Sequence, residues 1–488
     1  TRAAVPASFS LLNALWHVVQ IAAALAMISV LFVLLAVGSS GQDFEDEKQQ
    51  MLQAYKHAQQ GDFLSASHGL RRAIQYFPYR NQLITDYGQA LLKMSLDMDA
   101  ENERREATLR EACAAIHLGE LVGDLRAGKL GAKCLEAMSS PEEASWQMLM
   151  KRVDAVREAD AQPVQSAVDE CSADTHATGK GVAVTVDESE ISDGSLSMET
   201  LLKAYISMVL CGVVALSGAV FSADFVEVLA NEQRRVLSEY FEQLQAGKLA
   251  KEQHTFARER GAKRFEVRAP LAPPFSDDQL IANPIVLQLI RLLLGSRVEI
   301  DTLSQVSALP GAADQSWHTD VEGLFREPEP GAIGHHPPAG LVMVVPLVNL
   351  TEEMGPTEFQ TGSHRLQELT DPLERKFAAW SLPIVRPLLD AGSVVLFDLR
   401  LTHRGTQNIA DTHRPILYMS YVKEWWVDIR NFQAKQSEDF DAMSPLQKKL
   451  LKRLDHRTFV ERLTDFAEGR REKPPEQCSP FQENDLQI

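Results

Sequence analysis

The chain has 488 residues, 45% hydrophobic and 24% charged, with a formal net charge of −18 and a pI near 5.2. Its length and composition are those of a globular protein of two or three domains, and the acidic excess argues against nucleic acid as a partner, which needs a clustered basic surface. Five cysteines, Cys113, Cys134, Cys171, Cys211 and Cys478, are scattered without CxxC or zinc spacing; read alone, they are free structural thiols rather than a disulfide framework.

Residues 3–42 carry no charged side chain, and residues 21–38 (IAAALAMISVLFVLLAVG) are nearly all apolar. About twenty such residues cross a ~30 Å hydrocarbon core as a helix, whereas a cleavable signal needs an apolar stretch of only ~7–15. Residues 1–42 therefore read as a membrane anchor, with a signal peptide cleaved near Gly38–Gly41 as the alternative. Arg2 precedes the run and Asp43, Glu45, Asp46 and Glu47 follow it. The positive-inside rule then places the bulk of the chain on the lumenal side of an endomembrane; the signal-peptide reading predicts secretion instead.

Residues 43–157 have helical periodicity. Gly61-Asp62-Phe63, then Ala66, Ala73 and Pro78, fall at the offsets of a helix-turn-helix repeat whose small residues allow close packing and whose proline closes the second helix. The stretch resembles one tetratricopeptide unit, a unit that serves protein partners; an unrelated helical bundle is the other reading. Residues 158–200 are rich in Asp, Glu, Ser and Thr and lack aromatics, the composition of an acidic flexible linker.

From about residue 201 the pattern changes again. Val213 to Leu216 read as a strand that enters a helix over residues 222–245 through a Ser222 N-cap, and residues 281–295 as an amphipathic helix. Beyond these come four strand-like runs at residues 298–308, 340–350, 393–401 and 416–422, separated by Pro and Gly turns. Strands without intervening helices point to a barrel or jelly roll flanked by helices over residues 201–430, with a helical, polar tail at 431–488.

This region carries the chemistry. In Trp317-His318-Thr319-Asp320, a His and a carboxylate two apart share one face of a strand. His403 ends the run GSVVLFDLRLTH, and Arg414 opens the next. Two imidazoles and one carboxylate, with no thiolate, suit non-haem Fe(II) with open positions for oxygen chemistry. Arg414 offers a planar guanidinium that grips a carboxylate bidentately; a surface salt bridge is the plainer reading of the same residue. His335-His336, in the loop GAIGHHPPAG, read as part of a lid over the site and not as a second metal centre.

With these residues stand Pro310-Gly311-Ala312, Gln315, Val345-Pro346-Leu347, Gly355-Pro356-Thr357-Glu358-Phe359, Gly362-Ser363-His364 and Asn408. Together they resemble the phytanoyl-CoA dioxygenase family of Fe(II)/2-oxoglutarate oxygenases over residues 212–425. Thr361 and Ala391-Gly392-Ser393 depart from its pattern without touching a ligand position. The resemblance implies a double-stranded β-helix, iron held by His318, Asp320 and His403, and 2-oxoglutarate held by Arg414, with O2 as co-substrate and ascorbate as an auxiliary reductant. It also implies hydroxylation of a small-molecule or lipid-like substrate coupled to decarboxylation of 2-oxoglutarate to succinate. Retention of Asp320 favours hydroxylation over halogenation, in which a small residue vacates that position. A secretory-pathway protein hydroxylase and a non-catalytic membrane-tethered scaffold are the alternatives.

Overall fold

The computed structural model describes residues 42–98, 103–138, 144–158, 171, 180–247, 257–259, 262–321, 337–368, 380–426, 440 and 443–454. The candidate membrane anchor, residues 159–170 and 172–179 of the expected linker, the His335-His336 loop and the last thirty-four residues lie outside them. Among the described residues no helix is long and apolar enough to cross a membrane. Two compact units are present, the first ending at residue 139 and the second running from residue 140 onward, with residues 77–80 and 120–123 grouped with the second.

The first unit is helical: α1 (Gln42–Gln59), α2 (Phe63–Tyr76), α3 (Asn81–Leu96), α4 (Glu103–Leu121) and α5 (Ala127–Ala137). The turn at Gly61 joins α1 to α2, and Gly61 adopts a φ of 80°, a region that glycine enters without steric cost. Close packing of the pair depends on Gly69, where an added Cβ would lie 2.6 Å from the Cβ of Ala54. Ala66 and Ala73 are buried on the same helix. The cysteine expectation fails here: Cys113 and Cys134 form a disulfide between α4 and α5, and Cys171 and Cys211 form a second one within the other unit. Separations of 21 and 40 residues follow no local motif, because the pairing is made by tertiary packing.

The boundaries drawn on composition also need correction. Helix α6 (Ala144–Glu158), expected in the first domain, belongs to the second unit and packs on α8 (Met198–Cys211). Residues 180–200, expected to be linker, are structured. They hold β1 (Ala183–Thr185), paired in parallel with β2 (Val213–Ser217), and the short helix α7 (Glu188–Asp193). Val182, Val184 and Val186 are buried while Ala183 and Thr185 are exposed, a period-two signal too short to register against the acidic average around it.

The second unit is built on two sheets. The larger has the order β1-β2-β9-β6-β11-β5-β4-β3 and the smaller β10-β7-β8, with β3 (Ala257–Glu259), β4 (Arg264–Arg268), β5 (Val298–Ala308), β6 (Gly340–Pro346), β7 (Thr357–Gln360), β8 (Ile384–Val385), β9 (Val394–Asp398), β10 (His403–Gly405) and β11 (Arg414–Lys423). From β5 onward the chain alternates between the sheets, through the bridge at His318, β6, the β7–β8 pair, β9, β10 and β11. That alternation is the topology of a double-stranded β-helix. Strands β6 and β9 are buried on both faces, as central strands covered on each side must be.

Helices cover the outside. Ser222 caps α9 (Ala223–Gln245) by accepting from the Phe225 amide. After the short α10 (Asp278–Ile281), Asn283 caps α11 (Pro284–Leu294), which has Pro284 in its first turn, where its missing N–H costs nothing. In the expected tail, α12 (Pro445–Leu451) and the turn after it pack on β5, and Arg453 pairs with Glu299 and Asp301.

The Cys113–Cys134 bridge closes a loop of a size that contributes about 3 kcal/mol by restricting the unfolded chain. Cys113→Ser should therefore lower the thermal midpoint of the first unit, and reductant should lower that unit's midpoint in wild type but not in the variant. Equal melting with and without reductant would exclude the bridge.

Candidate functional site

One backbone contact assembles the site. His318 and His403 form an isolated antiparallel bridge, with the His318 amide donating to the His403 carbonyl at 3.0 Å and the reverse bond at 2.8 Å. His318 thus sits on a single bridge and not on the regular strand expected from its spacing with Asp320. The strand expected to run through His403 likewise breaks. The Asp398 carboxylate accepts from the Arg400 backbone amide at 2.8 Å and from the Arg400 guanidinium at 2.9 and 2.7 Å. This buried turn carries the chain out of β9 in the large sheet and into β10 in the small one.

The two imidazoles lie with ring centroids 4.5 Å apart. Each presents the same nitrogen inward. His318 Nδ1 donates to the Ser316 carbonyl at 2.8 Å and His403 Nδ1 donates to the Leu401 carbonyl at 2.9 Å. A carbonyl partner requires N–H at Nδ1, which leaves the Nε2 lone pair for a ligand. Burial holds the His403 pKa below the ordinary histidine range, so the ring is neutral as a metal ligand must be. Asp320 is similarly oriented: Oδ2 accepts from the Tyr418 hydroxyl, and Oδ1 lies 3.8 Å from His403 Nε2. One donor atom from each of His318, Asp320 and His403 falls within 4.8 Å of the others. The set fits a divalent metal, and its imidazole and carboxylate donors suit iron.

These residues line a cavity of about 270 Å³, and its far end is cationic. Arg414 on β11 and Arg264 on β4 are the cross-strand partners of Ala308 on either side of β5. Directly opposed residues of a sheet point to one face, so both guanidiniums enter the cavity at one level. Both are almost fully buried, and Arg414 Nε, Arg264 Nε and Arg264 Nη1 lack hydrogen-bond partners. Arg264 Nη2 donates to the Thr406 and Ala313 carbonyls. Burial pushes Arg414 down to about 9, with Arg264 adding to the effect, and burial pushes Arg264 down to about 10. Both remain charged at neutral pH. Two buried cations with unfilled donors form a site for an anion.

Arg264 is the functional residue that spacing arguments miss, because it lies 54 positions before His318 with no motif between them. Its signal in the sequence is the alternation Arg264-Phe265-Glu266-Val267-Arg268. Gly405 is fitted to it: a Cβ there would lie 2.7 Å from Arg264 Nη1 and from Gln315 Oε1. Of the remaining histidines, His364 is buried with Nε2 against the Val209 carbonyl at 3.2 Å, a structural place outside the cavity.

A family model described as phytanoyl-CoA dioxygenase matches residues 210–416. This stretch is a phytanoyl-CoA dioxygenase family domain. The match takes in the three candidate ligands, Arg264 and Arg414. Dioxygenase af480 of Aspergillus fumigatus is 28% identical over 192 residues, 37% of this chain and 56% of the relative, so the chain spans little more than half of that relative's length. Among solved structures, the non-heme alpha ketoglutarate dependent epimerase SnoN from nogalamycin biosynthesis is 21% identical, over 46% of this chain and 82% of that one, with a TM-score of 0.34. EctD from S. alaskensis, solved with 2-oxoglutarate and 5-hydroxyectoine, is 21% identical over 51% of this chain and 79% of its own, also with a TM-score of 0.34.

Two substitutions test the geometry of the phytanoyl-CoA dioxygenase family domain. Tyr418→Phe removes the hydroxyl that occupies Asp320 Oδ2 and should weaken Fe(II) or Mn(II) binding about 10- to 100-fold, the usual cost of losing such a supporting group. Equilibrium metal titration reads this directly. Gly405→Ala should displace the Arg264 guanidinium and raise the Kd for 2-oxoglutarate while leaving metal affinity within error of wild type.

Proposed function

We propose that the domain is an Fe(II)- and 2-oxoglutarate-dependent dioxygenase that hydroxylates a small-molecule substrate. One observation carries the reading. A His-Asp-His donor set and a pair of buried, incompletely bonded arginines face the same small cavity. His318, Asp320 and His403 would hold the metal on one side, leaving the cavity side for co-substrate and oxygen. Arg414, with Arg264 beside it, would receive the distal carboxylate of 2-oxoglutarate, whose other end reaches the metal. When bound, iron and 2-oxoglutarate supply the oxidising chemistry, in which 2-oxoglutarate loses CO2 to become succinate and one oxygen atom of O2 enters a substrate C–H bond.

The protein's own contributions are positional. The Nδ1–H donors of His318 and His403 fix both rings, Tyr418 fixes the Asp320 carboxylate, and the buried wall of β6 and β9 keeps water from the reacting atoms. The arginines set the depth to which the co-substrate enters. Ascorbate fits as an external reductant. The two buried disulfides support a location in an oxidising compartment, in keeping with a lumenal enzyme anchored to the membrane through residues 1–42. A surface of the first helical unit that receives a protein partner belongs to the same reading.

Fe(II)-loaded protein should release succinate from 2-oxoglutarate, and His318→Ala should abolish this. Arg414→Met provides a sharper test. It should weaken 2-oxoglutarate binding by about 30-fold or more, roughly 2 kcal/mol. The ligand-free variant should also melt higher than wild type, because the folded state depresses the Arg414 pKa and the buried charge therefore opposes folding at neutral pH. Lower stability together with unchanged 2-oxoglutarate affinity would identify Arg414 as a structural residue and remove the co-substrate site.

A further inference from the structure

Strand β4 is charged toward the cavity and apolar away from it. Phe265 and Val267 point outward and pack on α9, against Leu237, Val236, Tyr240 and Phe241. Arg264, Glu266 and Arg268 alternate with them, and all three line the cavity while remaining less than a tenth exposed. A strand of a two-sheet barrel ordinarily turns its apolar face to the interior. Placing three charged side chains inside is costly unless each finds compensating charge or hydrogen bonds.

Arg264 lies at the level of Arg414 and serves the co-substrate end. Glu266 and Arg268 lie elsewhere. Arg268 pairs in register with Ser304, and Ser304 with Tyr418, whose hydroxyl reaches Asp320. Arg268 thus stands in the row of the metal ligands, roughly 13 Å along the strand from Arg264 at about 3.3 Å per residue. A five-carbon diacid held at Arg414 would put its distal carboxylate at the Arg264 level and not at Arg268. Arg268 Nη1 and Glu266 Oε1 are 3.7 Å apart, and both groups bond Ser304: Arg268 donates to its Oγ at 3.1 Å, and the hydroxyl donates to Glu266 at 3.0 Å. The part of the cavity beside the metal therefore presents a carboxylate and a guanidinium together.

The chemical complement of that surface is one molecule carrying an ammonium and a carboxylate close together. An acyl chain laid against it would make no use of either charge. Size agrees, since about 270 Å³ is below the ~300–1,000 Å³ typical of pockets for drug-sized ligands. Resting on the dioxygenase reading above, we propose that the substrate is a small zwitterion of the amino-acid class, with its carboxylate on Arg268, its ammonium on Glu266 and a C–H bond toward the metal ligands. Hydroxylation would place one atom of O2 in that C–H bond and the other in succinate as CO2 leaves.

The test uses full-chain protein loaded with Mn(II) and 2-oxoglutarate, so that binding is read without turnover. Free amino acids, palmitate and palmitoyl-CoA are screened by thermal shift, and responding compounds are then tested with Fe(II) and O2 for stimulated succinate release. At least one amino acid should raise the melting temperature and stimulate turnover. Its methyl ester and its N-acetyl derivative should both fail, a result independent of any variant's folding. Glu266→Gln and Arg268→Gln should each weaken binding about tenfold or more. Response to palmitate or palmitoyl-CoA alone, or equal binding of the ester and the acetylated form, would overturn the assignment. So would a protein that binds and turns over 2-oxoglutarate but responds to no amino acid. Absence of any 2-oxoglutarate effect would instead remove the dioxygenase reading itself.

Discussion

The reciprocal hydrogen bonds between the backbones of His318 and His403 are the contact on which the site depends. They join a loop after β5 to the first residue of β10, eighty-five positions later. They bring the two imidazoles to a ring separation of 4.5 Å. Everything that orients the donors is backbone or nearly so: the Ser316 and Leu401 carbonyls behind the rings, and the Asp398–Arg400 turn that delivers His403 to the small sheet. Tyr418 completes the arrangement from β11. Donors fixed in this way need little reorganisation to accept a metal, which is the advantage of a preorganised ligand set.

The same cavity carries an electrostatic load that the fold alone does not relieve. Arg264 and Arg414 are buried side by side at one level of the large sheet with donors unfilled. Such an arrangement opposes folding and favours an anion. Stability given up in the ligand-free state reappears as affinity when a carboxylate arrives, so binding and folding are coupled through these two side chains. Interior charges of this kind are expected at functional sites and out of place in a purely structural core.

Much of this was legible in the residues. The His318, Asp320, His403 and Arg414 spacing and the alternation of strands and turns pointed to the donor set and to a jelly roll, because metal ligation and strand period both leave local marks. Ser222 announced the start of α9 for the same reason. What stayed hidden was non-local. The partners of Cys113 and Cys171, the pairing of β1 with β2 inside an acidic stretch, and the meeting of Arg264 with Arg414 across Ala308 are all made by tertiary packing. The break after Asp398 escaped notice because the run from Val394 to His403 is apolar enough to read as one strand. The capture of Arg400 by the Asp398 side chain ends it.

The proposed site joins His318, Asp320 and His403 with two arginines to receive a metal and a 2-oxo acid. Anaerobic titration of Fe(II)-loaded protein with 2-oxoglutarate, followed by visible metal-to-ligand charge-transfer absorption, tests it most directly. A new absorption band should appear, saturate at one metal and one 2-oxoglutarate per chain, and be absent in His403→Ala. Iron that binds without any absorption change on adding 2-oxoglutarate, or a band that persists in His403→Ala, would contradict it.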